Sequence, residues 1–355
     1  MISPSRAVAL CLSVCQTYNP RPVLRRILLI GLLFSCVFAG PSGAQVETEL
    51  LAGRRVFPEV GAGIRAVKRD AGGRYYILAG PGAAVIVYDA AGQRVGLIPR
   101  LAAIPGAPPV TKDALLVYGD DLDVDAAGRL YIADRGANAV KVFAPEGTLV
   151  LTIPIAAPTS VAALPEGEIA VASAKSSRLV SVFDAHGKVV REFGEPTEIA
   201  ERGELNRFLN IGRLATDPAG HIYYAFSYLP EPTVRKYDHH GYAAFELQLT
   251  SLEFQPAAQA ARREIERQER RGTPALKPIV TAVAVEAATQ EIWVALGGLL
   301  LHFDREGNRR GTYRTFTPEG ARLEATAILV EPDRLLLASD PLGIYEFPRP
   351  DKKRP

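Results

Sequence analysis

Apolar and polar positions along this chain fall into short bursts separated by tight turns. The clearest burst begins at Leu122-Asp123-Val124, breaks at Asp125-Ala126-Ala127-Gly128, resumes as Leu130-Tyr131-Ile132-Ala133, and continues through Val140-Lys141-Val142-Phe143 to Thr148-Leu149-Val150-Leu151. Each burst has the length and β-rich composition of a strand, and each break carries turn chemistry: Asp bonds its own backbone and Gly accepts φ > 0. The pattern predicts four short antiparallel strands in roughly 30 residues.

The same pattern recurs. The first copy turns at Asp70-Ala71-Gly72-Gly73 and ends its third strand at Tyr88-Asp89; the second turns at Asp125 and reaches Phe143. The third turns at Pro165-Glu166-Gly167 and reaches Phe183-Asp184, the fourth at Asp217-Pro218-Ala219-Gly220 and Tyr237-Asp238. The fifth turns near Glu286-Ala287-Ala288 and reaches Phe303-Asp304, the sixth at Glu331-Pro332-Asp333 and Tyr345-Glu346-Phe347. Four-stranded units repeating every 40 to 50 residues or so predict an all-β fold, a six-bladed β-propeller of four-stranded antiparallel blades over residues 45–348. The sixth copy stops at Pro348 before any fourth strand. The segment from Thr48 to Phe57 is expected to supply that strand and leave no open edge.

Asp134-Arg135-Gly136-Ala137-Asn138-Ala139-Val140-Lys141-Val142-Phe143, after Gly128-Arg129-Leu130-Tyr131-Ile132-Ala133, resembles the NHL repeat, with Asn138 on the repeat's asparagine. The match is good in the second copy, fair in the first, third and fourth, and weak in the last two. The resemblance implies an NHL-type propeller and a habit of binding proteins, peptides or other ligands. It leaves the activity open, because that family includes scaffolds as well as enzymes.

Strand alternation sorts the connections. The tight Asp and Gly turns share one face, while second-to-third-strand loops and blade-to-blade connectors share the other. The long irregular segments Leu101 to Gly119, Pro196 to Asn210 and Thr250 to Ile279 all fall on this second, loop face. Elaboration on one side of a rigid scaffold points to function there. Residues 251–278 hold one inserted helix between blades 4 and 5: Pro256 to Gly272 opens with Pro, closes with Gly, and spaces Arg262, Glu266 and Arg270 at i,i+4. Ala258, Ala261 and Ile265 give it a narrow apolar stripe.

Residues 1–44 break the pattern. Arg25-Arg26, an apolar run from Ile27 to Ala39, and Ser42-Gly43-Ala44 predict a secretory signal cleaved after Ala44, and an exported protein, periplasmic or extracellular. The run is too short to span a bilayer, so the mature chain is expected to carry no membrane span. Leu33-Phe34-Ser35-Cys36 offers a lipoprotein alternative, although Phe34 fits such a box poorly. Removing four arginines takes the formal charge from +2 to −2. Nothing then favours nucleic acid. Cys11, Cys15 and Cys36 leave as well, so the mature chain has no thiol or disulfide chemistry. Residues 349–355 read as a basic, disordered tail.

The loop face carries no histidine or cysteine: His186, His221 and His240 lie on the turn face and His302 within a strand. Zinc hydrolysis and Cys or His nucleophile chemistry are thus poorly supported there. Alignment places Arg65, Asp120, Ser160, Gly212, Thr281 and Thr326 at one level of the innermost strands, with Asp121 and Arg213 one position further in. Second-to-third-strand loops add Asp134, Arg135, Lys175, Tyr228 and Asp340. The expected ligand-binding set is Arg65, Asp120, Asp121, Asp134, Arg135, Lys175, Arg213, Tyr228 and Asp340, suited to a protein, peptide or small polar ligand. Six-bladed calcium-dependent lactonases share the architecture, and Asp120, Asp121, Asn138, Asn206, Asn210 and Asp340 have the right donor types for Ca2+. A binding or scaffold module without a cofactor is the favoured reading, a calcium-dependent hydrolase or lyase the alternative. Asp123 replaces the small or apolar residue of other copies and is expected to pair with Lys68 on the neighbouring inner strand.

Overall fold

The computed structural model describes residues 47–99, 110–249, 254–270 and 275–350. The expected signal, its lipid-attachment alternative and part of the first long connector lie outside them. Two strands lead in, β1 (Thr48–Leu51) and β2 (Arg54–Val56). Blade 1 is β3 (Ala66–Arg69), β4 (Tyr75–Leu78), β5 (Val85–Tyr88) and β6 (Arg94–Ile98). Blade 2 is β7 (Gly119–Val124), β8 (Leu130–Asp134), β9 (Ala139–Phe143) and β10 (Leu149–Pro154). Blade 3 comprises β11 (Pro158–Ala163), β12 (Ile169–Ser173), β13 (Val180–Phe183) and β14 (Val189–Phe193). After helix α1 (Gly203–Leu209), blade 4 runs through β15 (Gly212–Thr216), β16 (Ile222–Phe226), β17 (Thr233–Tyr237) and β18 (Ala243–Gln248). Helix α2 (Gln255–Glu269) precedes blade 5: β19 (Val280–Val285), β20 (Ile292–Leu296), β21 (Leu299–Phe303) and β22 (Arg309–Phe316). Blade 6 has β23 (Ala327–Val330), β24 (Arg334–Ser339) and β25 (Gly343–Pro348).

The blades stand in a ring, their innermost strands β3, β7, β11, β15, β19 and β23 each touching the next. Six apolar clusters fill the six spaces between neighbours. The three inner strands of a blade are therefore covered on both faces, as in β8, where every residue is buried. The outermost strand faces water on one side and alternates, as β10 does. Closure uses both chain ends, with a refinement of the expected pairing. Only β2 completes blade 6, in antiparallel register with β25 (Arg55 opposite Tyr345). β1 adds a fifth strand to blade 5, parallel to β22.

The repeated turn is a clasp. Asp70, Asp125 and Asp217 each accept the backbone N–H four residues on and the hydroxyl six residues on, from Tyr76, Tyr131 and Tyr223 at 3.0, 2.9 and 3.1 Å. The Nε of Arg74 and Arg129 grips the same carboxylates in blades 1 and 2. Gly128 closes its turn at φ +78°, where an L side chain would be strained. The second turns use Asp89, Asp184, Asp238 and Asp304 to accept the backbone N–H four residues on, without a hydroxyl partner at the sixth position. Burial works against the charge of Asp70, Asp238 and Asp304, yet it is outweighed, by backbone N–H donors first at Asp70 and Asp238 and by the Asn308 side-chain amide first at Asp304, so these carboxyls are held below their ordinary value; at Asp184 the Lys188 N–H is itself the leading cause. Depressed carboxyls stabilise above the unfolded value near 4 and lose that contribution as pH falls through the folded value. We expect the urea midpoint to drop between about pH 4 and 2, and the drop to shrink in Asp70→Asn; an unchanged slope in that variant would contradict the clasp's role.

Two expectations need correction. A second helix, α1, lies in the connector before blade 4, where only irregular chain was expected; Leu205 and Leu209 at i,i+4 are fully buried and fold it onto the ring. Arg349, read as the start of a disordered tail, is buried: it donates to Glu286 at 2.8 Å and to the Glu331 carbonyl at 3.1 Å, over the Trp293 ring. No helix among the described residues is long and apolar enough to cross a membrane.

Candidate functional site

On the loop face the start of blade 2 forms the centre of a charged recess. Arg65 Nη1 reaches Asp120 Oδ1 at 2.8 Å, and Arg135 Nε lies 3.1 Å from Asp120 Oδ2. Arg213 Nη1 donates to the carbonyls of Asp120 (3.0 Å) and Thr159 (3.3 Å) and stands 3.9 Å from Asp121. The Tyr118 ring is a platform for two of these cations, with Arg65 Cζ 4.1 Å and Arg135 Cζ 4.9 Å from its centroid. Tyr228, packed on Phe208 of α1 at 4.5 Å, walls the opposite side. The recess holds about 320 Å³. Below it the channel narrows to about 40 Å³, between Lys68, Asp121, Arg213 and the inner strands.

The floor is a second, deeper charge cluster. Lys68 Nζ meets Asp123 Oδ1 at 3.0 Å, as expected, while Asp123 Oδ2 accepts the Ala163 N–H at 2.8 Å. Burial works against the Lys68 charge, but Asp123 and Asp121 outweigh it and hold the ammonium above its ordinary value. Burial pushes the Asp121 carboxyl up, against Arg213 and Lys68 and a hydrogen bond from the Ser160 hydroxyl. Burial likewise pushes the Tyr228 phenol up, so it stays a proton donor at neutral pH. Arg65, Arg135, Arg213 and Lys68 face Asp120, Asp121 and Asp123, leaving the region one positive charge in excess. Lys68→Ala leaves a buried carboxylate half satisfied and should cost about 1–3 kcal/mol. Chemical denaturation measures it, and Lys68→Ala with Asp123→Ala should recover part of the loss; additive losses would break the pairing assignment.

Arg65, Asp120, Asp121, Arg135, Arg213 and Tyr228 are thus brought together. The others of the expected set are not. Asp134 is fully buried and turned away, accepting the N–H groups of Val117 (3.0 Å), Tyr118 (2.9 Å) and Ala137 (3.2 Å) and pairing with Lys141 at 3.2 Å. It fixes the platform and does not line the recess. Asp340 accepts the Gly63 N–H at 2.9 Å, and Lys175 sits in an exposed loop beside Ser173. The amides offered for Ca2+ serve the chain itself. Asn138, at φ +52°, accepts from Ala157; Asn206 accepts from Ile199 and Ala200; Asn210 accepts from Thr197. Among the described residues no group of three or more His, Cys, Asp or Glu side chains gathers at ion-binding distance.

Tyr118 and Phe208 were missed. Both sit in connectors whose paths the repeat does not specify. Gly136 is the one local hint, since a Cβ there would lie 2.7 Å from Val117 and 2.9 Å from Tyr118, marking a close approach of two loops.

No protein-family model matches the chain, and neither does any curated protein. Solved structures resemble it in fold. A streptogramin B lyase aligns over 82% of this chain and 85% of its own at 12% identity, TM-score 0.52. The WD40 repeats of RRP9 align over 85% and 99% at 11% identity, TM-score 0.50, and the WD40 propeller of Doa1 over 81% and 79% at 11% identity, TM-score 0.50. At such identities the likeness extends to the propeller architecture alone.

Proposed function

We propose that this chain is an exported, NHL-type propeller that acts as a binding module, taking a ligand with a carboxylate or similar anionic group into the loop-face recess. One observation carries the reading: three guanidinium groups converge on Asp120, those of Arg65 and Arg135 over the Tyr118 ring and that of Arg213 at the Asp120 carbonyl, in a recess with an excess of positive charge. Arg presents planar, permanently charged donors that match a carboxylate. The Asp120 carboxylate offsets part of the charge of Arg65 and Arg135 and gives up part of their donors when an anion enters. Small molecules and the acidic side chains or C-terminus of a partner protein offer the same group.

The calcium-dependent hydrolase or lyase gains no support of its own from the side chains, since Asp120 and Asp121 face guanidinium groups, Asp340 accepts the Gly63 N–H, and the amide oxygens accept backbone N–H groups. A melting-temperature screen of short dicarboxylates, phosphate and their neutral analogues tests the binding reading. Anions should stabilise the protein in a concentration-dependent way. Arg65→Ala and Arg213→Ala should each weaken the effect about tenfold, the worth of one charge-assisted hydrogen bond. His240→Ala on the turn face should leave it unchanged. Equal responses in all variants would defeat the proposal.

A further inference from the structure

The recess has a larger neighbour. Beneath the apolar stripe of α2 lies a groove of about 690 Å³, within the range of small-molecule sites. Its lining is more apolar than polar, with Phe254, Ala261 and Ile265 from the helix side and Leu276, Leu296 and Leu299 from the connector and blade 5. At the Gly297-Gly298 turn a Cβ on Gly297 would meet nothing within 4 Å, while the Arg322 guanidinium packs directly over Gly298. Tyr228 and Pro278 line both the groove and the charged recess, so the two share a wall. The charged side chains at the groove are mixed in sign, Glu264 and Glu324 beside Arg267, Lys277 and Arg322. The recess is the more cationic of the two, lined by Arg65, Arg135 and Arg213 against Asp120 alone.

Resting on the anion reading above, we propose that the ligand is an amphiphile, its carboxylate in the Arg recess and its aliphatic body passing Tyr228 into the groove under α2. A chain there exchanges water for the apolar lining, and each buried methylene tightens binding about fourfold. Helix α2 is well placed to form a fixed wall: Arg262 reaches Glu231, the Arg202 guanidinium donates to the Gln268 carbonyl at 2.6 Å, and the Glu201 N–H donates to Glu269 at 2.8 Å. The i,i+4 partners expected within the helix give way to these anchors, since Arg262 pairs across to blade 4.

Calorimetric titration of butanoate, octanoate and octan-1-ol into the protein, and into Ala260→Trp and Ala257→Trp, decides the matter. Both alanines line the groove from exposed helix positions, so the indole fills it without disturbing the core. Octanoate should bind on the order of a hundredfold more tightly than butanoate, and more tightly than octan-1-ol. In either Trp variant that ratio should collapse to within about threefold while butanoate affinity holds, given roughly fourfold per methylene. Butanoate binding without a chain-length gain, or a gain that survives both Trp variants, overturns the amphiphile and spares the anion site. Octan-1-ol binding as well as octanoate, or no carboxylate binding at all, overturns both.

Discussion

A chain that begins at Val60, lacking β1 and β2, should lose most of its stability and much of its solubility. The segment takes with it two ladders that join the chain ends, β2–β25 and the parallel β1–β22, and the contact of Phe57, buried against Tyr75 and Tyr88 of blade 1 at ring distances of 5.1 and 4.7 Å. Losing a buried Phe alone costs about 3–5 kcal/mol. Added to two ladders, this approaches the whole stability of roughly 5–15 kcal/mol typical of a domain. The edge of β25 would also stand open to other chains. Thermal melts and size-exclusion profiles of the shortened and longer chains measure the effect. A shortened chain equally soluble and heat-stable would show that the ring closes without its first strands.

Asp134→Ala should destabilise by about 3–5 kcal/mol, the cost of breaking a buried ion pair from one side. The variant strands Lys141, itself buried, and releases three N–H groups, two of which hold Val117 and Tyr118 in place. In a domain of this size that is a fall of roughly 10 °C, read by calorimetry. Anion binding should weaken too, because the Tyr118 platform is no longer fixed. Loss of binding with an unchanged melt would instead make Asp134 a ligand contact.

The turns were readable because they are local. An Asp, a Gly three residues on and a Tyr six residues on make the clasp within seven residues in blades 1, 2 and 4, and the repeat spaces six four-stranded units into a ring. Alignment of the copies then carried Arg65 and Asp120 to one level with Asp121 and Arg213 one position further in, since strands of equal register meet at equal height, and it exposed Asp123 as a deviation that called for Lys68. Asp134 was misplaced because its position in the repeat says where the backbone runs and not which way a carboxylate turns once the next connector offers it N–H groups. Tyr118, Phe208 and the groove under α2 depend on how irregular segments cross the blades. That crossing is decided by contacts between residues far apart in the chain, such as Arg262 with Glu231, which no periodicity encodes.

The recess is most directly tested by calorimetric titration of succinate into the protein and into Arg135→Ala with Arg213→Ala. Saturable binding is expected, weakened at least about tenfold in the double variant, where two charge-assisted contacts are lost, weakened also by added salt, and unchanged in His240→Ala. Absence of binding, or an affinity that survives the loss of both guanidinium groups, would contradict the loop-face anion site.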